Sequence, residues 1–535
     1  MRSYAGIPNS DRPGLFVEEN ALLLRRYAYV EERLCYLQCA HFPGTAILEA
    51  KHALGRHAWE DGQHADALRH RIVTMRTSTR ALEQCPDPAL AALLDEAERA
   101  SDTVELLSGV HGVLKPALLG AYRWHVETSN PLADFPTVRE LEIILREEGH
   151  QLAWAAEAIA ELAGPAAAAG ALEGAAKVAA FLGASATNGA RDPVRVTADP
   201  GPDALPGAAR SGPPVGQPWT PEPGAAEHAA AWQAHLRTFL SAAGGISGRE
   251  ARGQADPARS SQPFHISRHP RRDPRFTINF QFNEPGDPRA ETTAERLIFM
   301  MRGRLNELAA TENPASAVFE LSRDPNGMPW EGRLELVRHM WDEARHSMLG
   351  QAVIESLGRD VREWPLRIGP GYWYLSVSAL DRYAHLGLNV EQAMMRYPPG
   401  KRQEYEWCRD VAKNPLAAMY QDYDWADETY HTQIARRWVA HALQAGHVGG
   451  EQPDESAPGW ARLRAFAAEA GRRMAANGQA IAALWQARRA RDETLGPGDP
   501  LPSGNGEAEI ENEYRQDPEL TLTREQVEAD LHLAE

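Results

Sequence analysis

The stretch HMWDEARHSMLG, residues 339–350, sets two histidines, two adjacent acids and an arginine within eight positions of an amphipathic helical pattern. An acid three residues ahead of a histidine on a helix puts both side chains on one face, about 60° apart, where they can bind one ion or bracket two. Taken alone, such a segment reads as a solvated charged face, with Asp342 and Arg345 paired one turn apart. Its echo elsewhere in the chain changes that reading. EAKHALGRHAWEDGQHADAL, from Glu49, aligns without a gap on EGRLELVRHMWDEARHSMLG, from Glu331. Glu, Arg, His, Trp and His recur at 49/331, 56/338, 57/339, 59/341 and 64/346, and the acid pair recurs as Glu60-Asp61 and Asp342-Glu343. A second match follows, because NPLA at 130 and at 414 precedes Glu147-x-x-His150 and Glu428-x-x-His431. Self-similarity in this register marks a duplicated helical domain.

Working outward, the chain of 535 residues has room for two or three domains. Its few aromatics and its Ala, Leu, Glu and Arg content favour an all-α protein. The pattern predicts a helical domain over 1–184, a linker over 185–290, a second helical domain over 291–492 and an acidic tail over 493–535. Within the linker, residues 200–224 carry 13 Pro or Gly in 25, too many for a packed core. A short helix is expected at 227–243, and FTINFQF at 276–282 alternates like a lone strand with no obvious partner.

A net charge of −18 excludes the basic footprint that nucleic-acid backbones require. Cys35, Cys39, Cys85 and Cys408 form no C-x-x-C pair or disulfide framework, no run of 18 apolar residues offers a membrane span, and no export signal is visible, so the expected location is cytoplasmic.

The second half carries the fuller site pattern. Glu312 lies 31 residues before Glu343-x-x-His346, Glu391 falls on the next helical segment, and Glu428-x-x-His431 follows 37 residues later. A four-helix bundle that points one Glu from each of two helices and one Glu-x-x-His from each of the others into its centre builds a dinuclear carboxylate site. Four carboxylates neutralise two divalent cations, and two imidazoles leave positions open for O₂ or water. Both motifs read D-E-x-x-H, so Asp342 and Asp427 can each address the imidazole of the opposing helix and fix its tautomer.

These motifs resemble the ferritin-like diiron-carboxylate superfamily, over about 293–445 and more loosely over 20–165. The resemblance implies two ferritin-like four-helix bundles joined by a long disordered linker. It also implies Glu312, Glu343, His346, Glu391, Glu428 and His431 as ligands of two Fe ions (or Mn), with Asp342 and Asp427 behind them. Glu307 competes with Glu312, because Pro314 can kink or end that helix. The implied chemistry is reduction of O₂ coupled to oxidation of a small molecule of unknown identity, with an electron-donor protein as partner and homo-oligomerisation left open. In the first half, Glu31 or Glu32, Asp61, His64, Glu147 and His150 form a possible second set. It departs from the pattern: aspartate is a methylene shorter, Arg146 stands where the other motif has its aspartate, and no acid occupies 109 or 110.

Two other readings compete, a ferroxidase or metal-storage protein and a non-catalytic scaffold whose acids are satisfied by salt bridges. His57 and His339 read as core histidines or else as extra ligands or donors behind the ligands, Trp59 and Trp341 as packing residues that could also carry an electron, and Cys35 and Cys39 as small apolar fillers with soft ligation as the alternative. The aromatic-rich GYWYLSVSALDRYAHLGLN, 371–389, reads as core that could also line a substrate cavity.

Overall fold

The computed structural model describes residues 3–183, 219, 221–279, 292–324, 328–446 and 459–490. The expected acidic tail and most of the Pro/Gly-rich run lie outside them. The described chain is mostly helical, and among these residues no helix is long and apolar enough to cross a membrane. Two compact units emerge, and neither is one continuous stretch. The first draws on the described parts of Met1–Gln38, His57–Val196 and Gln217–His265, the second on those of Cys39–Arg56 and Ile266–Glu535. The expected division into 1–184 and 291–492 therefore differs from the observed one. Residues 39–56 belong with the second unit, and 221–265 belong with the first.

The helices that matter in the first unit are Val17–His41 up to residue 38, Leu48–Val73 from residue 57, the helical run over 103–128, and Phe135–Ala163. The third of these widens into a π-helical turn at Val110–Leu114, directly before Lys115. The fourth starts where Asp134 accepts from the Thr137 amide, with Pro136 in its first turn, an arrangement that satisfies an orphan donor and wastes none on proline. Part of the expected linker packs here. The Ala225–Ala242 helix buries Trp232, Leu236 and Phe239, and Arg259 forks onto the buried Glu105 at 2.6 Å.

In the second unit the order is Thr293–Leu305, Leu308–Ser322, Trp330–Ser356, Ala379–Met394 and Pro415–Gln444. A π-helical stretch, His385–Glu391, again interrupts the element that follows the D-E-x-x-H helix. Such wide turns insert a residue and rotate the downstream face, and they cluster at functional sites. Asn414 of the repeated NPLA caps its helix by accepting from the Ala417 amide, with Pro415 at the first helical position. The expected lone strand finds a partner. Ile278–Asn279 pairs in parallel with Leu366–Arg367, while residues 280–282 lie outside the described ones.

Candidate metal centre

In the second unit, three buried histidines and five carboxylates converge as two adjoining groups: His339, Glu343, Glu391 and His431, and Glu307, His346, Asp424 and Glu428. Within each group the potential ligand atoms lie within 4.8 Å of one another. The helical spacing explains the assembly. His339-x-x-x-Glu343-x-x-His346 on one helix and Asp424-x-x-x-Glu428-x-x-His431 on the other each place three side chains on one inward stripe.

The imidazoles are oriented from outside. His346 Nε2 lies 3.3 Å from Asp427 Oδ2 and His431 Nε2 lies 3.3 Å from Asp342 Oδ2, each aspartate facing the histidine of the other helix. Arg338 donates to Asp342 at 2.7 Å, and Arg345 bonds both aspartates, at 2.7 Å in the case of Asp427. Both Nδ1 atoms consequently turn inward. That of His346 stands 3.3 Å from Asp424 and 3.4 Å from Glu307, and that of His431 stands 3.5 Å from Glu343. Glu343 spans the groups, with Oε1 toward His339 and His431 at 3.5 Å and Oε2 toward His346 at 3.8 Å. His339 stacks on His431 at 3.7 Å, reaches Glu391 with Nε2 at 2.8 Å and meets the Tyr383 hydroxyl with Nδ1 at 3.2 Å.

One further cation joins them. Lys401 Nζ donates to Asp424 at 2.9 Å and Glu428 at 2.7 Å and stands 3.9 Å from Glu307. Arg304 bonds Glu307 at the margin while pairing with Glu404 at 2.6 Å.

The electrostatics follow from crowding like charges in a dry place. Burial pushes Glu428 up, and despite Lys401 the neighbouring Glu391, Glu343 and Asp424 help carry it to about 8. Burial would push Glu343 the same way, but the imidazoles of His339, His346 and His431 around it hold it well below the usual range. Burial would lower His346 and His431, yet the surrounding carboxylates raise both well above the ordinary value. Five carboxylates and one lysine leave a charge that two divalent cations cancel. The donor atoms fit such ions, because Nδ1 of His346 and His431 and Oε2 of Glu307, Glu391 and Glu428 are buried without a hydrogen-bond partner.

In the first unit a smaller group forms from Glu31, Asp61, His64 and Glu148. Lys115 donates to Asp61 at 2.8 Å and Glu148 at 2.6 Å, Gln151 to Asp61 at 3.0 Å, and Gln38 to the other Asp61 oxygen at 2.6 Å. Tyr122 donates to Glu31 at 2.6 Å.

Several sequence-predicted residues sit elsewhere. Glu312 is buried against Lys51 at 2.8 Å and forked by Arg272, and it is Glu307 that joins the cluster. Glu307 sits in the turn that caps the Leu308–Ser322 helix and Glu312 lies inside that helix, about 140° further round, so the two do not share a face. Glu32 bonds Tyr36 and Arg69, and Glu31 takes the inward position. His150 is exposed, and Glu147, with a side chain 46% exposed, reaches only the outer nitrogen of His64, at 2.9 Å. The inward residues of that helix are Glu148 and Gln151, one position on. Glu343, His346, Glu391, Glu428, His431, Asp61 and His64 do lie in the clusters.

The sequence reading left out Asp424, Lys401, Lys115, Glu148 and Gln151, and it favoured core for His339 over the ligand role it also allowed. The matching 4+3 spacing of His339/Glu343/His346 and Asp424/Glu428/His431 is the signal that could have found two of them. His57 instead pairs with His111, ring nitrogen to ring nitrogen at 3.3 Å. No family model matches the chain, and comparisons with curated proteins and with solved structures likewise gave no match.

Proposed function

We propose that this chain is a diiron oxidoreductase of the ferritin-like diiron-carboxylate kind, with its dinuclear centre in the second unit, acting on a small molecule with O₂ as oxidant. The observation that carries this reading is the reciprocal crossing of the two D-E-x-x-H helices. Each aspartate holds the outer nitrogen of the opposing histidine, so two inward Nδ1 atoms meet five carboxylates, four of them buried.

Glu307, Asp424 and His346 would hold one ion, and Glu391, His431 and His339 the other, with Glu343 and Glu428 between them. When bound, a pair of ferrous ions supplies the electrons that reduce O₂. The chain's own residues do the rest. Asp342 and Asp427, backed by Arg338 and Arg345, fix which imidazole nitrogen faces inward. Lys401 keeps a positive charge 2.7 Å from Glu428 and tunes the centre to neutrality with two dications. Tyr374, Leu386 and Met474, with Trp373 and Val390 against them, form an apolar wall beside the stretch that carries Glu391, which helps to keep water out.

The test is anaerobic reconstitution with Fe(II), metal counting, and optical spectra on exposure to O₂, repeated for His346→Ala. The reading expects about two irons to be lost with His346→Ala, together with the O₂-dependent absorption change. Retention of both irons by that variant, or no O₂-dependent change in the loaded wild type, would sink it.

A further inference from the structure

The first unit keeps part of the second unit's ligand pattern and replaces the rest. Around the histidine, Glu31 takes the place that Glu307 has in the second unit, with Asp61 for Glu343, His64 for His346 and Glu148 for Glu428. The third-helix residue that closes the π-helical stretch in the second unit is Glu391. In the first unit the residue leaving that turn is Lys115. Three positions after the fourth-helix glutamate, His431 is matched by Gln151. Lys115 and Gln151 remove the terminal ligands beside His431. On the other side Ile144 stands four residues before Glu148 where Asp424 precedes Glu428, while Glu31, His64 and Glu148 remain as the counterparts of Glu307, His346 and Glu428.

Lys115 fills the side that was lost. Its Nζ lies 2.8 Å from Asp61 Oδ1 and 2.6 Å from Glu148 Oε1, the two acids that correspond to Glu343 and Glu428. Gln151 and Gln38 complete the hydrogen bonding of Asp61. The other side stays open to a ligand. His64 Nδ1, Glu31 Oε2 and Glu148 Oε2 belong to residues at most 2% exposed, and none of these atoms has a hydrogen-bond partner. The Nδ1 atom lies 3.5 Å from Glu148 Oε1 and 3.7 Å from Glu31 Oε1, so the three residues face one point. Three carboxylates and one ammonium leave two negative charges, which one divalent cation cancels and two would exceed.

We propose that the first unit is a mononuclear metal site, in which Glu31, His64 and Glu148 hold one divalent transition-metal ion and the ammonium of Lys115 stands permanently in the place of a second. The atoms named make this case within the first unit; only the comparison with a two-ion centre rests on the reading given under Proposed function. One nitrogen and two or three carboxylate oxygens suit Mn(II) or Fe(II) better than softer ions.

The experiment uses Mn(II) and the full chain, with metal counted by equilibrium dialysis and electron paramagnetic resonance recorded anaerobically. His64→Gln should lose about one Mn(II) per chain relative to wild type, whatever the second unit binds, and no loss would overturn the proposal. In the His346→Ala/His431→Ala chain the remaining Mn(II) should give an isolated, uncoupled signal; a spin-coupled pair there would also overturn it. Adding Lys115→Glu and Gln151→His to that chain should admit a second ion and turn the isolated signal into a coupled one. Unchanged stoichiometry would refute the role given to Lys115. Loss of one ion in His64→Gln with none lost in His346→Ala would instead reject the dinuclear reading and leave this one standing.

Discussion

Asp427 touches no potential metal position, yet it decides which nitrogen of His346 faces inward. Replacing it by asparagine keeps the size but removes the charge, and partners of this kind typically change metal affinity by about 10- to 100-fold. Asp427→Asn should therefore weaken metal binding by roughly that factor in a chelator competition, with unchanged helicity by circular dichroism; equal affinity would show that the arginines alone orient the ring. A second residue-scale expectation concerns His125, buried beside Tyr27 with neither ring nitrogen hydrogen-bonded. Burial pushes its pKa down to about 4, with Asp134 opposing. An unfolded chain takes up this proton near 6.5, whereas the folded chain resists it until about 4. The stability due to neutral His125 is thus complete above 6.5 and is lost as the pH falls toward 4, by at most about 3 kcal/mol. His125→Phe should flatten the fall in urea midpoint between pH 7 and 4.5, and an unchanged slope would dismiss this residue as a source of acid sensitivity.

At the scale of the element, the π-helical stretch His385–Glu391 positions Glu391, and its approach to the Pro415–Gln444 helix depends on Gly387. A Cβ added there would stand 2.2 Å from the Ala435 Cβ, a distance that real side chains do not tolerate. Gly387→Ala should cost about 1–3 kcal/mol in chemical unfolding and weaken metal binding, because the stretch must move outward and carry Glu391 with it. Ala435→Gly in the same chain should restore much of both losses. Failure of that rescue would mean that the glycine matters for another reason. Both π-helical stretches escaped the sequence reading, since a single inserted residue leaves the apolar periodicity almost intact. The D-E-x-x-H helices were legible for the opposite reason: their fixed 3- and 4-residue spacings define a face without any knowledge of neighbours. The Glu147/Glu148 choice shows the limit. Adjacent residues differ by about 100° around a helix, and only packing says which one is inside.

At the scale of the molecule, each unit is completed by a segment distant in sequence. The second unit includes Lys51, bonded to Glu312, and His52, whose Nε2 lies 3.1 Å from the Ser347 hydroxyl. A fragment spanning 266–490 lacks both, and burying Glu312 against Arg272 alone leaves its charge environment incomplete. Such a fragment should unfold without a cooperative transition when monitored by circular dichroism, whereas the full chain should show one; a sharply melting fragment would contradict this. The sequence by itself determined that the chain is mostly helical, that one stretch of it echoes another, and that two helices carry acid and histidine on one face, because helical periodicity and repeat register are local properties. Only the tertiary structure decided that Glu307 and not Glu312 turns inward, that Asp424 and His339 join the cluster, and that HMWDEARHSMLG and its echo differ in what faces them. Those outcomes depend on helix rotation and on side chains far away in sequence, and the lysines that share the buried charge, Lys401 and Lys115, belong to no motif that spacing alone could reveal.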